Sequence, residues 1–316
     1  MDIEVITSPV QHGEGPLWNS VDSSLYFVDT FRTTVLKWDS CTKNVTYHQL
    51  DGRSVGFLVL INQMLNAFLL CRDRNVSLFK WDGVNNNQGT LENLFLVEEK
   101  KAFNQFNDGK ADAKGRLWAG TLKRNEDLSV ADNGGSLYSV VYNSGIKFTR
   151  QIHPVSISNG MAWSGDNKYF FYIDSATRKI MKFNFDLIGG KLSNQKVLFD
   201  LEHYPHLKGI PDGMTIDLDN NLWVALFGGK AVIKVHSITG KLLLVKNMPV
   251  TYVTSVTFGG PNYEVLYVTT SRLKLSDEEL LSEPSAGSVF AIHNLGVAGH
   301  PPDKFNFDSK KSLKKL

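Results

Sequence analysis

Six polar residues stand at the start of similar strand-turn-strand segments in this 316-residue chain: Glu14, Ser54, Asn107, Asn159, Asp212 and Ser255. Together they offer two carboxylates, two carboxamides and two hydroxyls, with no histidine or cysteine among them. Oxygen ligands of this kind suit Ca²⁺, Mg²⁺ or Mn²⁺ better than a structural zinc ion. If the six positions meet in the folded chain, Asp212 is therefore expected to be a metal ligand.

The same residues also have a plain structural explanation. Asp or Asn before Gly is common in tight turns, and a turn requires no metal. For one isolated copy the turn is the favoured interpretation. Five copies in matching register favour the ligand interpretation, because Glu14 is a poor turn former and would leave an uncompensated charge near an enclosed channel.

The segments that carry these residues form an internal repeat. The polar residue and the strand that follows it are ten residues apart in three copies and eleven in two, and a weaker sixth copy begins at Ser54. Alternating β-branched and aromatic residues, with turns of Gly, Asn and Asp, predict antiparallel strands. The exception is the short helical stretch "SDEELLSE".

Six units of about 50 residues, each with four strands, predict an all-β, six-bladed β-propeller with four-stranded antiparallel blades. A β-sandwich is the alternative, but it would not require a repeated register. The innermost strands of a propeller line a central channel, so the six polar residues are expected to converge at one mouth. Closing the ring removes free sheet edges, which predicts a single domain over residues 1–303. In the last unit, "GSVFAIHNLGVAG" is expected to supply a further pair of strands.

Composition limits the function classes. No window has the ~20 consecutive apolar residues of a membrane-spanning helix, and the N-terminus lacks a secretory signal pattern. The basic C-terminal tail, residues 304–316, holds five lysines and one aspartate, a charge of +4 that leaves −2 on residues 1–303. A nucleic-acid-binding face is therefore not expected.

The two cysteines, Cys41 and Cys71, form neither a disulfide framework nor a metal motif, which indicates a cytoplasmic protein. The terminal "KKL" is similar to the peroxisomal address "SKL", so a peroxisomal location is the alternative. We expect a monomer that acts on a small molecule, without nucleic-acid or membrane partners.

Seven motifs together resemble the gluconolactonase, regucalcin (senescence marker protein) and luciferin-regenerating enzyme family over nearly the whole chain. They are "GEGPLW", "LYFVDT", "FNDGKADAKGRLWAGT", "ISNGMAWSGDNKYFFYIDS", "IPDGM", "LWVALFGG" and "TSVTFGGPNYEVLYVTTS". Within the family, the insect luciferin-regenerating branch is the most similar. The resemblance implies a six-bladed propeller that binds one divalent cation and hydrolyses lactone esters.

The resemblance also implies roles for individual residues. Glu14, Asn159 and Asp212 would hold the cation, and Asp212 would also transfer the proton. Asn107 falls on the substrate side, and Asp108 is expected to support the ligands rather than react. Ca²⁺ is the expected ion, with Mn²⁺, Mg²⁺ and Zn²⁺ as alternatives. In physical terms, the ion would polarise the carbonyl or activate water, while Asn107 donates to the developing oxyanion.

Two departures from the family pattern concern substrate recognition. Sugar-lactone hydrolases of the family commonly have "NNRFNDG", whereas this chain has "NQFNDG", with Gln105 in place of arginine. A neutral amide cannot make the charged, bidentate contact of a guanidinium. The acidic contact after "AGT" falls on Asn125, with Glu126 one residue further on. These three residues are the expected substrate contacts beside Asn107, and we expect weak activity on gluconolactone and a less polar substrate.

The predicted function is divalent-metal-dependent hydrolysis of lactones or related small esters. One alternative is an enzyme of the luciferin-regenerating type, or an organophosphate-ester hydrolase, that uses the same ion on another electrophile. Another is a non-catalytic, Ca²⁺-binding propeller similar to regucalcin. If a lactone panel with added Ca²⁺, Mn²⁺ or Mg²⁺ is hydrolysed at the same rate in Asp212→Ala as in the wild type, the hydrolysis does not depend on this site. That result would favour the non-catalytic alternative.

Overall fold

The computed structural model describes residues 2–127, 129–142 and 145–307. Regular structure in these ranges is almost entirely β-strand, with one α-helix of six residues and the 3₁₀ helices Ser175–Thr177 and Leu201–His203. The first strand, β1, spans Asp2–Val5. Within the described ranges, no helix has the length and apolar character needed to span a membrane.

The next strands form four antiparallel sheets of consecutive strands. The first sheet holds β2 (Gly13–Asn19), β3 (Ser24–Asp29), β4 (Thr34–Asp39) and β5 (Val45–Gln49). The second holds β6 (Val55–Leu60), β7 (Ala67–Arg72), β8 (Asn75–Lys80) and β9 (Thr90–Leu96). The third holds β10 (Asn104–Ala111), β11 (Leu117–Arg124), the short β12 (Val130–Ala131), β13 (Gly135–Tyr142) and β14 (Ile146–Val155). The fourth holds β15 (Ser158–Trp163), β16 (Tyr169–Asp174), β17 (Lys179–Asp186) and β18 (Lys191–Asp200).

A larger, eight-stranded sheet contains the remaining strands together with β1. They are β19 (Ile210–Ile216), β20 (Asn221–Phe227), β21 (Ala231–His236), β22 (Leu242–Asn247), β23 (Tyr252–Gly259), β24 (Val265–Ser271) and β25 (Phe290–His293), and helix α1 (Asp277–Ser282) lies between the last two. The sheet consists of two four-strand runs, one from β19 to β22 and one from β23 to β25 with β1. The pair Phe227 and Tyr252 connects them.

The outermost strand of the last run comes from the beginning of the chain. β1 pairs antiparallel with β25, so the expectation that "GSVFAIHNLGVAG" supplies two strands is wrong. After β25 the backbone enters positive φ at Asn294 (φ 58°) and Gly296 (φ 72°), which ends extended structure there. The free edge of β25 is then covered by residues 2–5.

Apolar cores lie between successive four-strand runs. Phe57 of the second sheet packs with Phe106 and Leu117 of the third, and comparable cores lie between the other neighbouring runs. A further core joins the first sheet to β24 and β25, with Trp18 stacked on Tyr267 at a ring-centre distance of 5.4 Å. The runs thus follow one another in a closed ring. The predicted all-β class and the four-stranded antiparallel unit are confirmed.

The first strand of each run lies at the centre of this ring. β2, β6, β10, β15, β19 and β23 each contact the next, and β23 contacts β2. After β25, residues 298–307, which we call the C-terminal segment, cross one end of the ring. The N–H of Leu218 donates to Ala298, and Phe305 exchanges 2.8 Å hydrogen bonds with Leu60 and Asn62. Of the predicted tail, Phe305 is buried, and residues 308–316 lie outside the described part of the chain.

Candidate metal centre and channel

Each central strand contains a β-bulge near its start. In β10, β15 and β19 the bulge places two unpaired residues opposite one residue of the neighbouring strand. The first of the two is Asn107, Asn159 or Asp212. Glu14 lies one place earlier, at the last paired residue before the bulge of β2. A bulge redirects consecutive side chains, and bulges are common beside functional sites. We call this end of the channel, where the central strands begin, the mouth.

Ser54 and Ser255 do not share this place. Ser54 precedes β6, and its backbone N–H and its hydroxyl lie 3.1 and 3.4 Å from the Asp73 carboxylate. Ser255 follows the bulge of β23 and pairs with Thr269. The bulges of β6 and β23 contain one unpaired residue, Gly56 or Thr254, where the others contain two. Asn107, Asn159 and Asp212 are therefore equivalent in strand pairing, whereas Glu14, Ser54 and Ser255 are not, and the convergence of all six side chains on one ion stays a prediction.

The glycines beside the polar residues let neighbouring central strands approach closely. A Cβ atom on Gly160 would lie 2.5 Å from the carbonyl oxygen of Asp212. A Cβ atom on Gly213 would lie 2.0 Å from the Ser255 hydroxyl oxygen. Larger residues at these places would push the strands apart, so the glycines hold the polar residues of successive strands near one another.

Glu14, Asp108 and Asp212 form a carboxylate cluster. Loss of hydration raises the pKa of Glu14 well above its usual value, and the charges of Asp212 and Asp108 raise it further. Burial raises the pKa of Asp212 in the same way, with Asp108 adding to the effect and a hydrogen bond from Asn159 opposing it. Carboxylates that repel one another in a poorly hydrated place favour a bound cation.

Lys110 opposes the cluster in part. Its ammonium group donates to the carbonyl oxygen of Met214 and attracts Asp108. Burial lowers the pKa of Lys110 and raises that of Asp108, while their mutual attraction counters both shifts. One ammonium against three carboxylates leaves an excess of negative charge. The motif analysis passed over Lys110, although it lies two residues beyond Asp108 and so on the same face of β10.

Hydrogen bonds orient the two carboxamides. The Asn159 amide nitrogen donates to the Ser175 hydroxyl at 3.0 Å and also bonds to Asp212. The Asn107 amide nitrogen donates to the carbonyl oxygen of Ser158 at 3.0 Å. With its nitrogen engaged, Asn159 keeps its carbonyl oxygen as a ligand, whereas Asn107 retains a second N–H to donate.

The remaining predicted substrate contacts differ in exposure. Gln105 is buried near the start of β10, and its side-chain nitrogen has no hydrogen-bond partner among the described residues. Asn125 and Glu126 follow β11 and are exposed, and the Asn125 amide donates to the Ser129 hydroxyl at 3.0 Å. Their role in binding substrate stays a prediction.

The donor set fits a hard divalent cation. Glu14, Asn159 and Asp212 offer oxygen atoms, and the excess negative charge around them has no other full counterion in the described contacts. Across residues 2–127, 129–142 and 145–307, no group of three or more His, Cys, Asp or Glu has metal-binding geometry. The predicted set is of a different kind, because one of its three members is an amide.

A cavity of about 390 Å³ occupies the channel beyond the cluster, and we call it the lower chamber. Its wall includes Asp108 and Lys110 on one side and residues 300–303 of the C-terminal segment on the other. Trp163 also lines it, and the indole N–H of Trp163 is buried without a hydrogen-bond partner in the described part of the chain. The residues predicted to hold the ion are not part of this wall.

Comparisons with known proteins agree with the resemblance noted in the sequence. A family model described as the SMP-30/Gluconolactonase/LRE-like region matches residues 12–272. Human regucalcin is 37% identical over 299 residues, which cover 92% of this chain and 93% of regucalcin. A solved structure of luciferin-regenerating enzyme matches with a TM-score of 0.89 and 34% identity, covering 97% of this chain and 99% of that one. Regucalcin from Agrobacterium tumefaciens, described as a calcium-binding protein, matches with a TM-score of 0.85 and 23% identity, covering 96% and 97%. The chain therefore belongs to the SMP-30/gluconolactonase/LRE-like family.

Proposed function

We propose that this protein is a divalent-metal-dependent hydrolase of lactones or related small esters. The observation that carries the proposal is the carboxylate cluster of Glu14, Asp108 and Asp212, whose charge Lys110 balances only in part. Membership of a family named for gluconolactonase supports the reaction class. Ca²⁺ is the expected ion, in keeping with the calcium-binding regucalcin, and Mn²⁺, Mg²⁺ or Zn²⁺ are alternatives.

Glu14, Asn159 and Asp212 would hold the ion. A bound divalent cation supplies Lewis acidity, which polarises a substrate carbonyl and lowers the pKa of water. Asn159 suits this role because Ser175 and Asp212 engage its amide nitrogen and thereby orient its carbonyl oxygen. Asp108 supports the arrangement by accepting a 2.7 Å hydrogen bond from the N–H of Gly109 and by attracting Lys110.

Proton transfer falls to Asp212 and charge stabilisation to Asn107. A carboxylate beside the reacting water can accept its proton, and the hydrogen bond from Asn159 orients the Asp212 carboxylate for this role. Asn107 uses one amide N–H for Ser158 and can donate the other to the oxyanion that develops on the substrate. Gln105, Asn125 and Glu126 would contact the rest of the substrate.

We also propose that the six four-strand runs are the six blades of a propeller and that residues 1–303 form one domain. Support comes from the six inter-run cores, which include the core between the first and last runs. Cys41 and Cys71 are unpaired, in keeping with a cytoplasmic location. We expect the monomer to act on a small molecule.

Two observations favour different candidate functions. The 37% identity to human regucalcin, together with the regucalcin described as a calcium-binding protein, favours a calcium-binding role. The TM-score of 0.89 with luciferin-regenerating enzyme favours a related enzyme that acts on another electrophile. The first predicts tight Ca²⁺ binding without hydrolysis of any ester, and the second predicts metal-dependent turnover outside the lactones.

The test measures the rate at which the wild type hydrolyses each member of a panel of lactones and esters. The rates are measured after chelation and again after Ca²⁺, Mn²⁺, Mg²⁺ or Zn²⁺ is added. We expect hydrolysis that disappears on chelation and falls by roughly 10²-fold or more in Glu14→Gln. Glu92→Gln, which removes an exposed carboxylate on β9, is the matched control. Hydrolysis that survives chelation would refute metal dependence, and ion binding without any hydrolysis would leave only the binding role.

A further inference from the structure

Aromatic and cationic side chains surround the mouth of the channel, and of these only Phe227 lies within one of the quoted motifs, "LWVALFGG". We call them the mouth cluster: His12, Phe31, Arg124, Phe227, Tyr252 and Lys274. Strand pairing places the cluster at the carboxylate end, because Phe227 pairs with Ile210, two residues before Asp212. His12 likewise lies two residues before Glu14, directly before β2.

The rings of the cluster contact one another although they come from different runs. The His12 ring centre lies 5.2 Å from that of Phe31 and 6.2 Å from that of Phe227. Phe227 in turn lies 4.8 Å from Tyr252. All four rings are only half-buried, so part of each ring is exposed to solvent beside the candidate site. Half-exposed aromatic surface at a cleft is typical of ligand binding.

Positive charges stand against these rings. The Arg124 guanidinium carbon lies 5.0 Å from the centre of the Phe31 ring, and the ammonium nitrogen of Lys274 lies 5.5 Å from that of Phe227. Lys274 is exposed, so its charge faces solvent at the entrance. A cation beside an aromatic face offers a ligand both stacking and charge pairing.

We infer that the mouth cluster selects a lactone or ester with a flat aromatic body and an anionic group, in preference to a polyhydroxylated sugar lactone. The inference rests on the proposed hydrolase function and specifies its substrate class. Ring faces cannot satisfy the hydroxyls of a sugar, and Gln105 supplies no charge to replace the family's arginine.

The charge distribution also fixes the orientation of such a substrate. With the ion bound, its charge offsets the carboxylates, and Arg124 and Lys274 at the entrance attract the anionic group of the substrate. The anionic group is therefore held at the entrance, and the ester bond is directed toward the carboxylate cluster and its ion.

Three aryl acetates of similar shape and different charge test this: neutral phenyl acetate, anionic 4-acetoxybenzoate and cationic 4-acetoxyphenyltrimethylammonium. Rates are divided by the rate with hydroxide alone, which removes intrinsic reactivity. We expect kcat/KM to favour the anion over the cation by roughly tenfold in the wild type. Lys274→Gln and Arg124→Gln should each reduce this preference on the order of fivefold, and added salt should reduce it as well.

Phe227→Leu keeps apolar volume but removes the ring, so it should lower kcat/KM for all three aryl esters. Lys196→Gln and Phe148→Leu, exposed residues of outer strands, are the matched controls. Equal selectivity in the wild type and Lys274→Gln, or a preference for the cation, would overturn the inference.

Binding of 2-naphthoate to the Ca²⁺-loaded protein, measured by calorimetry, separates this inference from the hydrolase proposal. Binding that weakens in Lys274→Gln and Phe227→Leu supports the mouth cluster even if every ester is left intact, a result that would refute the hydrolase proposal alone. Ester hydrolysis without 2-naphthoate binding would overturn the mouth cluster alone.

Discussion

The two ends of the central channel differ in charge and in space. At the mouth, the charges of Asp212 and Asp108 raise the pKa of Glu14, and the charge of Asp108 raises that of Asp212. The lower chamber is a cavity of about 390 Å³, and apolar residues such as Trp163 form much of its wall. The comparison teaches that a well-formed cavity is not by itself the best guide to chemistry in this fold. The unbalanced charge identifies the candidate site instead.

The difference has a local structural cause. At the mouth, the bulges and glycines bring polar side chains of successive strands together, as Gly160 and Gly213 show. Further along, the strands pair regularly, and the C-terminal segment closes the space with residues 300–303. Reactive groups are therefore expected only where the strand pairing is interrupted.

The largest expected effect comes from Asp212→Asn. Because Asp212 is proposed both to hold the ion and to transfer the proton, kcat/KM should fall by about 10³-fold. Asp303→Asn removes an exposed carboxylate that lines the lower chamber and should leave kcat/KM unchanged. Comparable losses in both variants would abolish the distinction between the two ends.

Calcium and pH should act together on stability through the mouth. Below their ordinary pKa values, near 4, Glu14 and Asp212 are protonated in both the folded and the unfolded chain and contribute nothing. As the pH rises toward their raised folded-state pKa values, the unfolded chain ionises first, so the free energy of unfolding falls. The chelated protein should therefore lose stability as the pH rises above about 4.5.

Ca²⁺ at a hundred times its Kd should then add about 2.7 kcal/mol to the free energy of unfolding. Thermal unfolding of the wild type and Glu14→Gln, with and without Ca²⁺, isolates this contribution from other titrating groups. If the melting temperature of the wild type at pH 8 is the same with and without Ca²⁺, that result would contradict the proposed ion site.

Lys110→Met should raise the Ca²⁺ affinity by roughly tenfold, because it removes a positive charge that faces the carboxylate cluster. Calorimetric titration measures the change, and Lys114→Gln, in the exposed turn after β10, is the control. Weaker Ca²⁺ binding would instead indicate that the bond from Lys110 to Met214 positions β19.

The smallest effect is expected in the lower chamber. Trp163→Phe deletes an N–H without a partner in the described residues, so it should change the free energy of unfolding by about 1 kcal/mol or less and leave activity intact. Trp118→Phe is the matched variant, because the Trp118 N–H donates to Asp112 at 2.8 Å and its loss should cost roughly 1–3 kcal/mol. A tenfold loss of activity in Trp163→Phe would place chemistry in the lower chamber.

The repeat predicted the fold well because every four-strand run carries the same local signals. Strand alternation and turn residues identified all the central strands, including the one after the weak copy at Ser54. The pairing of β1 with β25 could not be read from the repeat, since it joins residues about 290 positions apart and residues 2–5 match no other unit.

The candidate site was predictable only in part. Asn107, Asn159 and Asp212 share one place because each lies in a bulge of the same type, whereas Ser54 and Ser255 do not. A sequence alignment cannot see how many residues a bulge contains. The mouth cluster was missed for a similar reason: its members lie at strand ends and in loops, where no repeated spacing marks them.

The pairing of the first strand with the last has a consequence for biosynthesis. Because residues 2–5 complete the run that ends at His293, the ring cannot close until almost the whole chain has left the ribosome. Until then residues 2–5 lack their partner strand, and the final sheet keeps an open edge. A bulky fusion placed directly before residue 2 should therefore hinder the pairing of residues 2–5 with β25 rather than any step of the chemistry.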